Sequence, residues 1–154
     1  MKAIISAMIA MAVFSGTANA TEVDSDELRC LAMNIYHESR GESIIGQRAV
    51  AFVTLNRAEH NYFPNTVCGV VWQNRQFAWT DDGANDRMNE TEARNLAEKI
   101  ARNALTATVD EDPTNGSLFF HTTNSRPSWV SRVDHSTTIG VHRFYTWDGN
   151  WNND

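Results

Sequence analysis

Apolar positions along the first half of the chain repeat at helical spacing. Leu28, Leu31, Ala32, Ile35 and Tyr36 follow the three- and four-residue steps of one helix face, behind Asp24 or Ser25 as a cap. Gly41 ends that pattern. Ser43 is placed to cap a second helix reaching Arg57, in which Ala49, Val50, Ala51, Phe52, Val53 and Leu55 are apolar on nearly every side, so this helix is expected at the centre. Asn61 to Asn65, with Pro64, reads as a loop, and Val67 to Trp72 as a short helix or turn. The stretch from Gln73 to Arg87 is polar yet encloses Phe77 and Trp79, which predicts two exposed loop aromatics. Asn89 with Glu92 three residues later resembles a capping box for a helix from Glu90 to about Thr108, with Ala93, Leu96, Ala97, Ile100, Ala104 and Leu105 on its apolar face.

The period changes after the turn Asp112-Pro113-Thr114-Asn115-Gly116. Ser117 to Thr122 and Thr138 to Thr146 read as strands, the second alternating Ile139, Val141, Arg143 and Tyr145 against Gly140, His142 and Phe144. Thr123 to Thr137, with Pro127 and Trp129, would connect them. Helices followed by a small antiparallel hairpin near the C-terminus predict an α+β fold. No repeat or low-complexity linker interrupts residues 21–154, so a single domain is expected there.

The first 20 residues follow another logic. Lys2, the apolar run Ala3 to Phe14 and the Ala18-Asn19-Ala20 ending have the layout of a secretory signal peptide cleaved after Ala20. Ser6, Ser15, Thr17 and Asn19 dilute the segment too far for a stable membrane span. Export to a periplasm or to the outside of a bacterium is the expectation, for a chromosomal or phage-encoded enzyme. Loss of this segment from the 154-residue chain leaves 134 residues and, without Lys2, moves the formal charge from −6 to −7. An acidic exported chain has no basic footprint for nucleic acid or anionic lipid. Aromatic residues gathered beside polar ones late in the chain suit an uncharged ligand with flat apolar faces, such as a sugar. Two cysteines, Cys30 and Cys68, favour one disulfide in an oxidising compartment, against two buried thiols or a catalytic thiol.

The sharpest local chemistry is Asn34-Ile35-Tyr36-His37-Glu38-Ser39-Arg40-Gly41-Glu42. Glu38 lies beside the buried stripe in the last helical turn, where burial and the negative helix end both raise a carboxyl pKa, as a general acid requires. The alternative is an ion pair of Glu38 with Arg40 or Arg48. Glu42 is a second carboxylate, expected to pair or cap more readily than to react. His37-Glu38 begins like the zinc motif H-E-x-x-H, but Gly41 stands where its second histidine belongs. His121, His135 and His142 could meet on the hairpin, although no ligand spacing supports a metal there. Gln47 and Asn56 are expected as polar core contacts on the central helix.

The ordered segments NIYHESRGE, GQRAVAFVTLNR, FPNTVCGVVWQ, QFAWT, FFHTT with PSW, and IGVHRFYT resemble the cell-wall hydrolase family of the SleB/CwlJ spore-cortex-lytic type, from about Leu28 to Thr146. The resemblance implies a lysozyme-like, lytic-transglycosylase-like domain acting on peptidoglycan, with Glu38 as its catalytic glutamate and no cofactor. It also implies a groove lined by Gln76, Phe77, Trp79, Trp129 and Tyr145; Glu42, His121 and His142 are candidate supporting residues from their own places in the sequence. Tyr36-His37-Glu38 stands where the spore enzymes read Tyr-Gly-Glu, and no spore-binding repeat is present, so cortex specificity does not follow. A monomer is expected. An N-acetylmuramoyl-L-alanine amidase, which would need a metal, and a non-catalytic peptidoglycan-binding module are the competing readings.

Overall fold

The computed structural model describes residues 22–149, so the expected signal peptide lies outside the described residues. Four helices come first: α1 (Ser25–Ser39), α2 (Ile44–Glu59), α3 (Val67–Val71) and α4 (Thr91–Leu105). Asp24 caps α1, its Oδ1 accepting from the backbone N–H groups of Asp26 at 2.8 Å and Glu27 at 3.1 Å. Ser43 caps α2 through the N–H of Gly46. As its composition predicts, α2 is enclosed: Ala49, Val50, Ala51 and Val53 are fully buried. α1 packs against α2, α3 and α4, and contributes Leu31, Ala32 and Ile35 to the main core.

α4 starts where expected, by a different device. Asn89 is not its cap; Glu90 holds that position and offers no side-chain cap bond. The hydroxyl of Tyr36 on α1 instead accepts the backbone N–H of Glu90 at 3.2 Å. The capping group comes from 54 residues away, so no local motif could have announced it.

The expected hairpin is a three-stranded antiparallel sheet. β1 (Phe119–Thr122), β2 (Asp134–Ile139) and β3 (His142–Thr146) lie in the order β1-β3-β2. The single strand expected over Thr138 to Thr146 breaks at Gly140, whose φ of +57° lets the chain reverse. The connection expected from Thr123 to Thr137 therefore supplies most of β2, with a register irregularity between His135 and Thr137. Phe144 is fully buried against Ala49 and Val53 of α2, which fixes the inner face of the sheet.

Cys30 and Cys68 form a disulfide joining α1 to α3. Glu27 strengthens the same junction, its carboxylate accepting from the N–H of Val67. The bridge closes a separation of 38 residues, which in the chain-entropy model stabilises by about 4 kcal/mol. Replacing both cysteines by serine is expected to lower the melting temperature by about 10 °C or more. An unchanged melting temperature, or two free thiols titrated in unfolded, unreduced protein, would contradict this.

Candidate active site

Glu38 occupies the last turn of α1 and is half-buried. Burial raises its carboxyl from the ordinary 4.5 to about 7, against the opposing pull of the Arg57 guanidinium. The expectation of a raised value therefore holds, with burial as its leading cause. Neither arginine expected as an ion-pair partner faces Glu38. Arg40 Nε meets Glu90 Oε1 at 3.0 Å, and Arg48 donates to the backbone carbonyl of Glu111 at 3.1 Å.

Arg57 is the residue that sequence reasoning missed. It sits near the end of α2, buried, with its own pKa lowered to about 10 by desolvation and partly restored by Glu38. Its Nε donates to the carbonyl of Leu118 at 2.7 Å. Its guanidinium carbon lies 5.2 Å from the ring centre of Phe63, 5.4 Å from that of Phe77 and 5.6 Å from that of Phe119. Arg57 falls three, four and seven residues after Thr54, Val53 and Val50, on the buried side of α2, and that spacing was the available signal.

Glu42 lies between the two helices. Its carboxylate reaches the N–H of Val141 at 3.5 Å and abuts Gly140, where any side chain would collide with it. It also favours the charged form of His142, whose pKa is nonetheless lowered, chiefly by burial. This geometry makes Glu42 a brace for the β2–β3 turn. Its carbonyl accepts from Gln47 Nε2 at 3.0 Å, and Asn56 Nδ2 donates to Asp112 Oδ2 at 3.0 Å, so both polar residues of α2 make the core contacts expected of them.

His121 and His142 project to opposite faces of the sheet. His142 lies inside against Phe120, ring centres 5.3 Å apart. His121 lies on the outer face, its Nε2 2.8 Å from the Tyr145 hydroxyl and its Nδ1 2.7 Å from the Thr122 carbonyl. That carbonyl can only accept, so Nδ1 donates and a neutral ring takes the Tyr145 proton at Nε2. Trp129 packs on both, 5.6 Å from each ring centre. Among the described residues no group of three His, Cys, Asp or Glu is arranged to hold a metal ion.

Phe77 and Trp79 depart from expectation. They are 2% and 7% exposed, not free loop aromatics. Phe77 lies over the Arg57 guanidinium, while Trp79 donates from Nε1 to Asn34 Oδ1 at 3.1 Å and stacks on His37 at 4.5 Å. Their partners are on α1 and α2, distant in sequence and so invisible to a local reading. Trp79 still contributes, with Tyr36, His37 and Arg40, to a cleft closed by residues 82–90. Gln76 is half-exposed just before Phe77.

Residues 41–145 match the family model described as Cell Wall Hydrolase. The chain belongs to the cell wall hydrolase family. The match begins three residues after Glu38. The chain is 34% identical over 131 residues to a spore cortex-lytic enzyme of Bacillus cereus, covering 84% of this chain and 48% of that protein. A spore cortex-lytic enzyme of Bacillus subtilis (strain 168) is 32% identical over 123 residues, 78% of this chain and 37% of that one. The chain thus spans half or less of these curated relatives. Among solved structures it matches the catalytic domain of the germination-specific lytic transglycosylase SleB from Bacillus anthracis, with TM-score 0.69 and 32% identity over 82% of this chain and 98% of that one. The catalytic domain of the Bacillus cereus SleB protein gives 0.67 and 30%, over 86% and 99%.

Two outcomes are expected from this geometry. Between about pH 4.5 and 7 the unfolded chain has lost the Glu38 proton while the folded chain keeps it, so Glu38 costs stability progressively as pH rises, and fully above 7. Glu38→Gln should therefore match wild type in urea unfolding below pH 4.5 and exceed it above 7; a pH-independent difference would contradict the raised pKa. Phe77→Ala should destabilise the fold by about 3–5 kcal/mol, a packing loss visible in the same unfolding curves. A stable Phe77→Ala protein would return that side chain to the surface role expected from sequence.

Proposed function

We propose that the chain cleaves the glycan strand of peptidoglycan at the bond between N-acetylmuramic acid and N-acetylglucosamine, with Glu38 as general acid and then general base. The single observation that carries this reading is a half-buried carboxyl, in the last turn of α1, that keeps its proton to about pH 7. The catalytic-domain likeness to SleB supports the same reaction class and does not favour the amidase alternative.

In the proposed reaction the Glu38 carboxyl gives its proton to the bridging oxygen as the bond to C1 of muramic acid breaks, leaving an oxocarbenium-like centre. The carboxylate so formed lies in the field of Arg57, which offsets part of its desolvation. It then takes the proton of the sugar's own C6 hydroxyl as that oxygen closes on C1. The products are a 1,6-anhydro end and a free N-acetylglucosamine 4-hydroxyl, and Glu38 ends protonated as it began. Gln76, Trp79, Trp129 and Tyr145 are proposed to line the sugar groove, with Phe77 supporting it from beneath. Export by cleavage after Ala20, a monomeric state, and a periplasmic or secreted location belong to the same proposal; the disulfide suits such an oxidising compartment.

Glu38→Gln should lower turnover of purified sacculi by on the order of 100-fold or more while the protein stays folded, and Glu42→Gln should lose less. Wild-type activity should decline as pH rises through about 7, because the acid then loses its proton. Mass spectrometry of the released muropeptides should find 1,6-anhydro ends. Reducing ends would make the enzyme a muramidase, freed stem peptides an amidase, and undiminished clearing by Glu38→Gln would end the general-acid assignment.

A further inference from the structure

Beside Tyr145, proposed above to line the sugar groove, the same face of the sheet carries two arginines to which that mechanism gives no role. Arg143 stands in register with His121 on β1 and Thr138 on β2, and Tyr145 with Phe119 and His135, so these side chains share the face opposite Phe144, the face whose Phe119 reaches Arg57. Two hollows open there and run together, sharing Thr123, Val130, Arg143 and Tyr145; Arg126 lines the outer of the two. No aspartate or glutamate lines either one. Arg126 and Arg143 are both exposed, and among the described residues neither forms an ion pair. In a chain of formal charge −6, two uncompensated guanidinium groups beside one acid-free hollow select for an anion.

The floor of the cleft is rigid. The Tyr145 hydroxyl is committed to His121, whose other nitrogen is committed to the Thr122 carbonyl. The cleft is also tied to the reacting end of the site. Arg57, coupled to Glu38, donates to the Leu118 carbonyl, and the Leu118 N–H donates to the Tyr145 carbonyl at 2.9 Å. Leu118 is thus a direct link from the Glu38–Arg57 pair to the strand that floors the cleft.

We propose that this cleft binds the carboxylates of the stem peptide carried by the muramic acid beside the bond that is cut, with Arg126 and Arg143 as the specificity-determining residues. The proposal rests on the glycan-cleaving reading above. The glycan backbone of repeating N-acetyl sugars gives a guanidinium little to pair with, whereas the peptide stem presents free carboxylates. An arginine fork meets a carboxylate through two parallel N–H bonds. An extended stem advances about 3.3–3.6 Å per residue, so three or four residues cover the width of a small sheet. The enzyme should then prefer stem-bearing glycan to the same glycan stripped of its peptides.

The test compares intact sacculi with glycan strands freed of stems by an amidase, using wild type, Arg126→Gln, Arg143→Gln, the double variant, and Arg→Lys at both positions. Wild type should show kcat/KM about tenfold higher or more on stem-bearing glycan, expressed mainly in KM; the double glutamine variant should bring the ratio near one, and the lysine pair should restore part of it. Co-sedimentation in the Glu38→Gln background should show the same ordering, with preference falling as salt rises. No preference in wild type, or a preference retained by the double variant, would overturn the proposal. So would an equal loss on both substrates with a lowered melting temperature, which assigns the arginines to the fold. A wild type that binds stem-bearing glycan through these arginines but releases no glycosidic product would sink the reaction assigned to Glu38 and leave the cleft standing.

Discussion

A guanidinium taken fully out of water near the end of α2 sets the terms for the structure around it. Burying an isolated charge is costly, and an arginine so placed keeps its proton only if its surroundings replace the lost solvent. Here the replacement is partial, Nη1 having no hydrogen-bond partner, and comes from three parts of the chain: the Leu118 carbonyl just before β1, the faces of Phe63, Phe77 and Phe119, and the carboxyl of Glu38 on α1. Each must reach the same point. The approach of β1 to α2, the inward fold of the Phe77 loop and the facing of α1 toward α2 all serve that one requirement.

The same burial acts on Glu38 in two directions. The apolar surroundings favour its neutral form, while Arg57 favours the anion, and the value near 7 shows that desolvation prevails. No ion pair within 4.0 Å joins the two groups, which is why the outcome differs from that of a salt bridge. A direct bidentate contact would hold Glu38 ionised well into the acid range and leave it no proton to give. Arg57 is close enough to ease formation of the carboxylate and too far to impose it. That intermediate coupling is what the proposed acid-then-base sequence needs, since both protonation states occur in one turnover.

What was legible in the sequence follows from the range of the interactions involved. α1, α2 and α4 were readable because helical periodicity is written within a few residues, as were the caps Asp24 and Ser43. Glu38 was readable because its position against the stripe of α1 already implied partial burial. The start of α4 was readable but its cap was not, because the capping hydroxyl belongs to Tyr36. The break at Gly140 was hidden inside a stretch with good alternation on both sides. The left-handed φ of +57° favours a glycine at that point, and Glu42, nearly a hundred positions away in sequence, fills the space beside it. Phe77 and Trp79 were misplaced for the same reason: a polar neighbourhood predicts exposure only when no distant partner supplies a pocket.

The position of Glu42 also bears on which nucleophile the proposed reaction can use. A hydrolase that activates water needs a second carboxylate, free to take a proton, on the far side of the sugar ring. Glu42 is the nearest acidic residue in sequence, and its carboxylate is drawn to the Val141 N–H, against Gly140 and into the field of His142. It lies against the turn between β2 and β3, which leads into the row of Arg143 and Tyr145. A carboxylate that braces the sheet is poorly placed to serve as a mobile base. In the proposed reaction, where Glu38 alone transfers the proton, the nucleophile must bring its own proton to Glu38 after the bond has broken. The C6 hydroxyl of the same sugar meets that condition without a second protein base, which is the physical ground for expecting an anhydro product over a reducing end.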